Sequence, residues 1–272
     1  MTFSLKWRLA PVAVSTAVMV ATLQLAGCGS SPKDERADVA AEKLYADAKE
    51  SMEAGTYDSA IKSLARVEGL AAGTVLAQQS QLDLAYLYWK TGEKAQALTT
   101  IERFIKLNPS SPALDYAMYL RGIINFNEDL GLFGRIAQQD LSERDQRAAR
   151  DAYQSFKQLV DQFPQSKYSP DARLRMDYIV NSLAGYEVHV ARYYYKRGAY
   201  VAAANRAKQA VTEFQQSPAA EEGLFLLVQC YDRLELPLLR DDALRVLQNN
   251  YPDSRFLAQA GEPDKRAWWK LW

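Results

Sequence analysis

The chain has 272 residues, with Lys plus Arg equal to Asp plus Glu at 33 each, no formal net charge, one histidine and two cysteines. That balance leaves no basic field to attract nucleic acid and no basic stripe for an anionic lipid surface. The lone histidine gives a metal site or triad almost nothing to draw on, and there is no H-E-x-x-H, G-x-S-x-G or phosphate loop, so no catalytic residue, metal ligand or cofactor is expected.

Residues 1–27 have a signal-peptide layout: Lys6 and Arg8 make a basic head, and Leu9 to Leu25 form an apolar stretch that ends in Ala26, Gly27 and Cys28. The letters L-A-G-C resemble a bacterial lipobox, which implies cleavage before Cys28, diacylglycerol on its sulfur and an acyl chain on the new amino terminus. Several acyl chains give stable anchoring where one gives marginal affinity. The other reading is an ordinary transmembrane helix that keeps its cysteine; the 17-residue run and the lack of stop-transfer charges count against it. Residues 28–38 then read as a lipidated tether. Gly29 stands where an Asp would resemble an inner-membrane retention signal, which favours the outer membrane. Cys230, among Phe225, Leu226, Leu227 and Val228, reads as a buried apolar residue, with a reactive thiol as the alternative.

From Ala41 onward the chain is periodic. "NPSSP", "FPQSKY", "FQQSPA" and "YPDSRF" each end one amphipathic run and start another, with Ser111, Ser166, Ser217 and Ser254 as markers 55, 51 and 37 residues apart and Thr74 a further 37 before the first. A second marker falls 19 residues before the hydroxyl residue in four units: Gly55, Gly92, Gly198 and Glu235. This resembles the tetratricopeptide repeat, in which glycine permits the turn between two helices and small residues such as Ala60, Ala97 and Ala203 let the second helix pack closely. The spacing predicts an all-α helical repeat, and the resemblance implies a right-handed superhelical solenoid of about five helix pairs over Ala41 to Phe256. The third unit departs from the pattern, with Asp129 at the glycine position and about 18 extra residues before Ala152. The fifth departs too, with Glu235 and Arg240 at the glycine and alanine positions, which leaves its turn open.

In such an array the first helix of each unit lines the inner surface, where function is expected. Counting back from the turn markers places Tyr45, Met52, Leu82, Tyr86, Trp89, Tyr116, Tyr119 and Phe126 on that lining, an aromatic set. The later counterparts Val188, Arg192, Tyr195, Phe225, Gln229 and Asp232 are mixed and charged. Aromatics at helical spacing also serve as core, so packing is the competing account of any single one. Two surfaces of different chemistry imply two partners, dividing the repeats into a substrate-facing half (39–147) and a partner-facing half (148–258).

The lipobox followed by five such units with an insertion in the third resembles the BamD family, lipoprotein subunits of the outer-membrane β-barrel assembly machine. The segments "LDLAYLYWKTGE", "IERFIKLNPSSPALDYAMYLRG", "FPQSKYSPDA" and "YEVHVARYYYKRGAYVAAANRAK" carry the likeness. The resemblance implies a lipid-anchored, periplasm-facing scaffold at the outer membrane. Its implied partners are the periplasmic domain of BamA, the other lipoproteins of the complex and unfolded β-barrel substrates, whose aromatic-ended targeting strand suits an aromatic groove. It also implies that Arg197 contacts BamA, and that Phe133-Gly134 and Glu143-Arg144-Asp145 belong to an ordered insertion. A periplasmic repeat scaffold for cell-wall or division proteins is the alternative function. A superhelical lytic transglycosylase needs a catalytic domain for which the repeats leave no length. Three of the five tryptophans fall in 259–272, a tail that either covers the end of the last repeat, docks to a subunit or the lipid interface, or mimics the substrate's aromatic end.

Overall fold

A computed structural model describes residues 32–126 and 143–260, with side chains over 37–126 and 146–258. The signal segment, Cys28, the insertion around Phe133-Gly134, the side chains of Glu143, Arg144 and Asp145, and the tryptophan-rich tail lie outside the described residues. Within them every regular element is a helix and there is no strand.

The chain forms two compact units, 1–80 and 81–272. In the first, α1 (Pro32–Glu53) and α2 (Tyr57–Leu70) pair, and the first residues of α3 (Val75–Lys90) join them. Ala41, Val67, Ala71 and Ala77 form their core, with Leu44, Tyr45 and Leu76 packed against it. Small side chains at these positions let the helices approach closely.

The second unit holds the rest of α3, then α4 (Lys94–Leu107), α5 (Leu114–Asn125), α6 (Glu143–Gln162), α7 (Ser169–Lys196), α8 (Tyr200–Glu213), α9 (Ala219–Arg233), α10 (Pro237–Asn250) and the short α11 (Leu257–Ala260). From α4 to α10 each helix packs on the next, and α7 also packs on α9. Contacts between near neighbours in sequence are the hallmark of a repeat array. The alanines of "VAAANRAKQA" explain themselves here, since Ala203, Ala204, Ala207 and Ala210 are all buried where α8 meets its neighbours. The buried Glu187 of α7 is held by Arg206 of α8 at 3.1 Å. The boundary drawn from sequence at 147–148 does not separate packing units, because Leu114 and Met118 share one core cluster with Ala149, Ala152 and Phe156.

The turn markers mark turns of one construction. Gly55, Gly92 and Gly198 have φ of 73°, 85° and 76°, and Glu235, whose turn the sequence left open, has φ 56°. At each, the marker's N–H bonds the carbonyl three residues back and the following N–H bonds the carbonyl five back, as in Gly92 to Trp89 (3.1 Å) with Glu93 to Tyr88 (2.7 Å), and Glu235 to Asp232 (3.1 Å) with Leu236 to Tyr231 (2.9 Å). This is the Schellman closure of a helix, which requires a left-handed residue. Glu235 adopts it without being glycine because an L side chain in this region costs only about 1 kcal/mol. The large residue expected to disturb the turn, Arg240, instead reaches back across it to Asp232 at 3.1 Å.

The serines are not the N-caps of the following helices; each builds the bend just before one. Ser111, Ser166, Ser217 and Ser254 each donate their N–H to a carbonyl three residues back, and each hydroxyl accepts the N–H two residues on, at 3.2 to 3.4 Å. A hydroxyl satisfying a backbone donor in this way stabilises a bend of fixed length. Thr74 is the exception and accepts the N–H of Ala77, three residues on.

Helix α5 presses against α6 at Gly122, where an added Cβ would lie 2.4 Å from Cε1 of the Phe156 ring. Phe156 is fully buried, so Gly122→Ala is expected to cost about 2 kcal/mol by overpacking. Urea unfolding measures it, and combining it with Phe156→Leu is expected to recover part of the loss. At the turns, Gly198→Ala should lower stability by about 1 kcal/mol and Glu235→Gly should raise it by a similar amount, both read as shifts in denaturation midpoint. An added Cβ at Gly198 meets nothing within 4 Å, so only the backbone conformation is at stake there.

Candidate functional site

The sequence placed aromatic residues on α3 and α5, and the fold brings those of the second unit together. Tyr86 and Trp89, a turn apart on α3, have ring centroids 5.8 Å apart. On α5, Tyr116 and Tyr119 face the loop before α7, where Tyr168 lies 5.5 Å from Tyr116 and stacks on Tyr119 at 4.9 Å. Phe126 closes the row, edge-on to Phe156 and to Tyr178 of α7. Tyr86, Trp89, Tyr116, Tyr119, Phe126 and Tyr168 are all half-buried, so each adds packing on one side and surface on the other.

Polar groups fix the rings. The Tyr119 hydroxyl donates to Asp171 at 2.7 Å, and the same carboxylate oxygen accepts from Nε of Arg175 at 2.6 Å. The Arg175 guanidinium also lies over the Phe126 ring at 5.0 Å. Asp115 accepts the Ser166 hydroxyl at 2.7 Å and the N–H of Tyr116 at 2.7 Å. Burial, followed by the Asp83 charge, pushes the Tyr116 phenol up to about 12, and the nearby phenols of Tyr168, Tyr86 and Tyr119 add to the effect. Burial and its bond to Asp171 also raise the Tyr119 phenol. Burial works to raise the Asp171 carboxyl, but the hydrogen bonds from Arg175 and Tyr119 outweigh it and hold the group below its usual 3.8. At neutral pH the Tyr116 and Tyr119 phenols are therefore neutral and the Asp171 carboxylate is charged.

Other expected lining residues lie elsewhere. Leu82 is only 2 % exposed and packs with Ala85, Ala97 and Ile101, so it is a core residue and lines nothing. Tyr45 and Met52 are half-buried in the first unit, Tyr45 against its core with Lys49 6.0 Å from the ring centroid. Among the later counterparts, Val188 is buried and Phe225 is buried beneath Phe256, stacked at 4.9 Å. Arg192 pairs with Glu222, and Asp232 with Arg240. Arg197 is exposed beside its turn, with its guanidinium 5.3 Å from the Tyr193 ring centroid.

Sequence reasoning missed Tyr168, Asp171 and Arg175. The signals were present: Tyr168 stands two residues after Ser166, where Phe256 follows Ser254, and Asp171 and Arg175 are four apart on one helix. Among the described residues no group of three or more His, Cys, Asp or Glu is placed to hold a metal ion, and no helix is long and apolar enough to cross a membrane. Cys230 is a free, buried thiol, raised to about 12 by burial, which makes it inert at neutral pH.

Helices packed each on the next, with an aromatic, half-exposed face, define a helical repeat protein of the kind whose surfaces bind protein segments. The model of the family described as "YfiO: Outer membrane lipoprotein" matches residues 37–246. The outer membrane protein assembly factor BamD of Neisseria gonorrhoeae is 46% identical over 92% of this chain and 96% of its own. The factors of the same name from Vibrio cholerae and Haemophilus influenzae are 32% and 33% identical over 85% and 92% of this chain, and 96% and 95% of theirs. This chain belongs to the BamD family. A solved structure of putative kinesin light chain TPR-like repeats overlaps 83% of this chain and all of its own at 15% identity with a TM-score of 0.34, too distant to bear on the fold.

A depressed carboxyl pKa contributes stability above the unfolded value, and that contribution is lost as pH falls through the folded value. Asp171→Asn is therefore expected to destabilise at pH 7, with the difference from the wild type shrinking below about pH 4. Urea titrations at the two pH values measure it; a difference independent of pH would show that the ionised carboxylate is not what holds Tyr119 and Arg175.

Proposed function

We propose that this protein is the lipid-anchored scaffold subunit of the outer-membrane β-barrel assembly complex, binding BamA and recognising unfolded barrel proteins for folding and insertion. Family membership supports the assembly role, and the observation that carries substrate recognition is the half-exposed aromatic row from Tyr86 to Tyr168. Rings fixed by Asp171, Asp115 and Arg175 lose little freedom on binding, which favours capture of an extended segment that presents aromatic side chains.

In this reading Cys28 carries diacylglycerol and an acyl chain, Gly29 directs the protein to the outer membrane, and the rest faces the periplasm. The first repeats (39–147) take substrate, through Tyr45 and Met52 in the first unit and Tyr86, Trp89, Tyr116, Tyr119 and Phe126 in the second. The later repeats (148–258) meet the periplasmic domain of BamA and the other lipoproteins, and Arg197 makes the BamA contact. Charged side chains at repeat positions equivalent to the aromatic ones support that division: Glu222 and Asp232 stand where Tyr116 and Phe126 stand two units earlier. The role is one of binding, with no catalysis, no cofactor beyond the covalent lipid and no nucleic-acid partner.

The test uses full-length, affinity-tagged chain in detergent-solubilised outer membranes. Tyr86→Ala with Trp89→Ala should reduce crosslinking to a peptide ending in Phe about tenfold while BamA copurification is unchanged. Arg197→Ala should do the reverse. Equal losses in both assays would contradict the division of surfaces, and copurification of cell-wall or division proteins without any β-barrel protein would overturn the assembly role.

A further inference from the structure

The proposed function gives the aromatic row a ligand class but says nothing of the ligand's charge. The surroundings of the rings are informative on this point. Asp115 sits at the start of α5, beside Tyr116, and its two hydrogen bonds come from neutral donors, the Ser166 hydroxyl and the Tyr116 N–H, both at 2.7 Å. These bonds fix the carboxylate without cancelling its charge. Asp83 of α3 acts on the Tyr116 phenol electrostatically, which places a second carboxylate in the field of the same ring. The third carboxylate, Asp171, is matched by Arg175 at 2.6 Å.

The rings themselves already accept cations. The Arg175 guanidinium lies over Phe126 at 5.0 Å and the Lys167 ammonium over Tyr168 at 5.0 Å. The negative face of an aromatic ring attracts such groups, and the attraction grows when a carboxylate stands beside it. Lys167 is exposed and on a long stem, so a ligand cation can take its place on Tyr168 at little cost. The face is thus apolar enough for an aromatic side chain and electronegative enough for a cation next to it.

We infer that the Tyr116–Tyr119–Tyr168 face, flanked by Asp115 and Asp83, selects unfolded segments in which an aromatic residue is neighboured by lysine or arginine, and disfavours those in which the neighbour is acidic. This rests on the reading of the aromatic row as the substrate site. The charged neighbour adds to an anchor that the aromatic side chain provides, so selectivity comes from electrostatics and affinity mainly from the ring.

The test measures fluorescence anisotropy of three labelled nine-residue peptides against the full-length lipidated chain in detergent. The peptides share one central Phe and differ only in its neighbour, Lys, Gln or Glu; a fourth replaces the Phe by Ala. The expected order is Lys, then Gln, then Glu, with about tenfold between Lys and Glu at low salt, shrinking to about twofold at 1 M NaCl. Asp115→Asn should narrow the Lys-to-Glu ratio, which is read within each variant so that any change common to all the peptides cancels. Asp83→Asn provides the same reading should the Asp115 variant fold poorly. Equal binding of the Lys, Gln and Glu peptides, with the Ala peptide weak, would overturn charge selection while the aromatic site stands. Equal binding of the Phe and Ala peptides would overturn the aromatic site itself.

Discussion

A helix that must reverse within three residues has to place one residue in the left-handed region, and the positions of the units follow from that demand. At Gly55, Gly92, Gly198 and Glu235 the backbone turns with the same pair of hydrogen bonds, so each time the second helix starts at the same offset from the first. The serine bend then sets the return. Its hydroxyl holds the N–H two residues on, and the chain leaves for the next helix at a fixed distance from the last. Side chains at equal offsets from the serine consequently occupy equal places. The residue two after one serine stacks on the residue eight after the serine of the preceding unit twice: Tyr168 on Tyr119 and Phe256 on Phe225, each at 4.9 Å.

Equal places with different side chains are how one architecture supports two surfaces. Offsets of five, eight and fifteen from the serine hold Tyr116, Tyr119 and Phe126 in one unit, and Glu222, Phe225 and Asp232 in another. The first set remains half-exposed and held by carboxylates. In the second, Phe225 is buried while Glu222 and Asp232 are joined to Arg192 and Arg240. Packing geometry is conserved between the two while the chemistry shown outward changes from aromatic to ionic. The Arg240–Asp232 pair is exposed and contributes little to stability, whereas Glu222 is half-buried beside Arg192.

Helix α7 ties the two surfaces together. Its first half contributes Ala172, Ile179, Leu183 and Ala184 to one core, and its second half contributes Val188 and Ala191 to the next. The same helix carries Asp171 and Arg175 beside the aromatic row near its start, and ends at Arg197, its C-cap. The rings are therefore positioned by a helix whose other end is held by a different core. Their half-buried state has two sources: the packing of α5 on α6 through Gly122 and Phe156, and the hydrogen bonds that reach them from α7.

The sequence by itself determined the helical repeat, the turn positions and the aromatic character of the early units, because backbone reversal and amphipathic spacing are local demands that leave marks on neighbouring residues. It named Tyr86, Trp89, Tyr116, Tyr119 and Phe126 for the same reason. The tertiary structure alone decided which of the apolar residues face outward. Leu82 carries the same spacing signal as Tyr86 yet is sealed between helices, since the period fixes an angle around one helix and not the width of the face that its neighbours cover. It also decided what completes the site. Tyr168, Asp171 and Arg175 reach Tyr119 and Phe126 across more than forty residues of chain, a distance over which spacing carries no information and only the packing of α7 against α5 and α6 sets the contact.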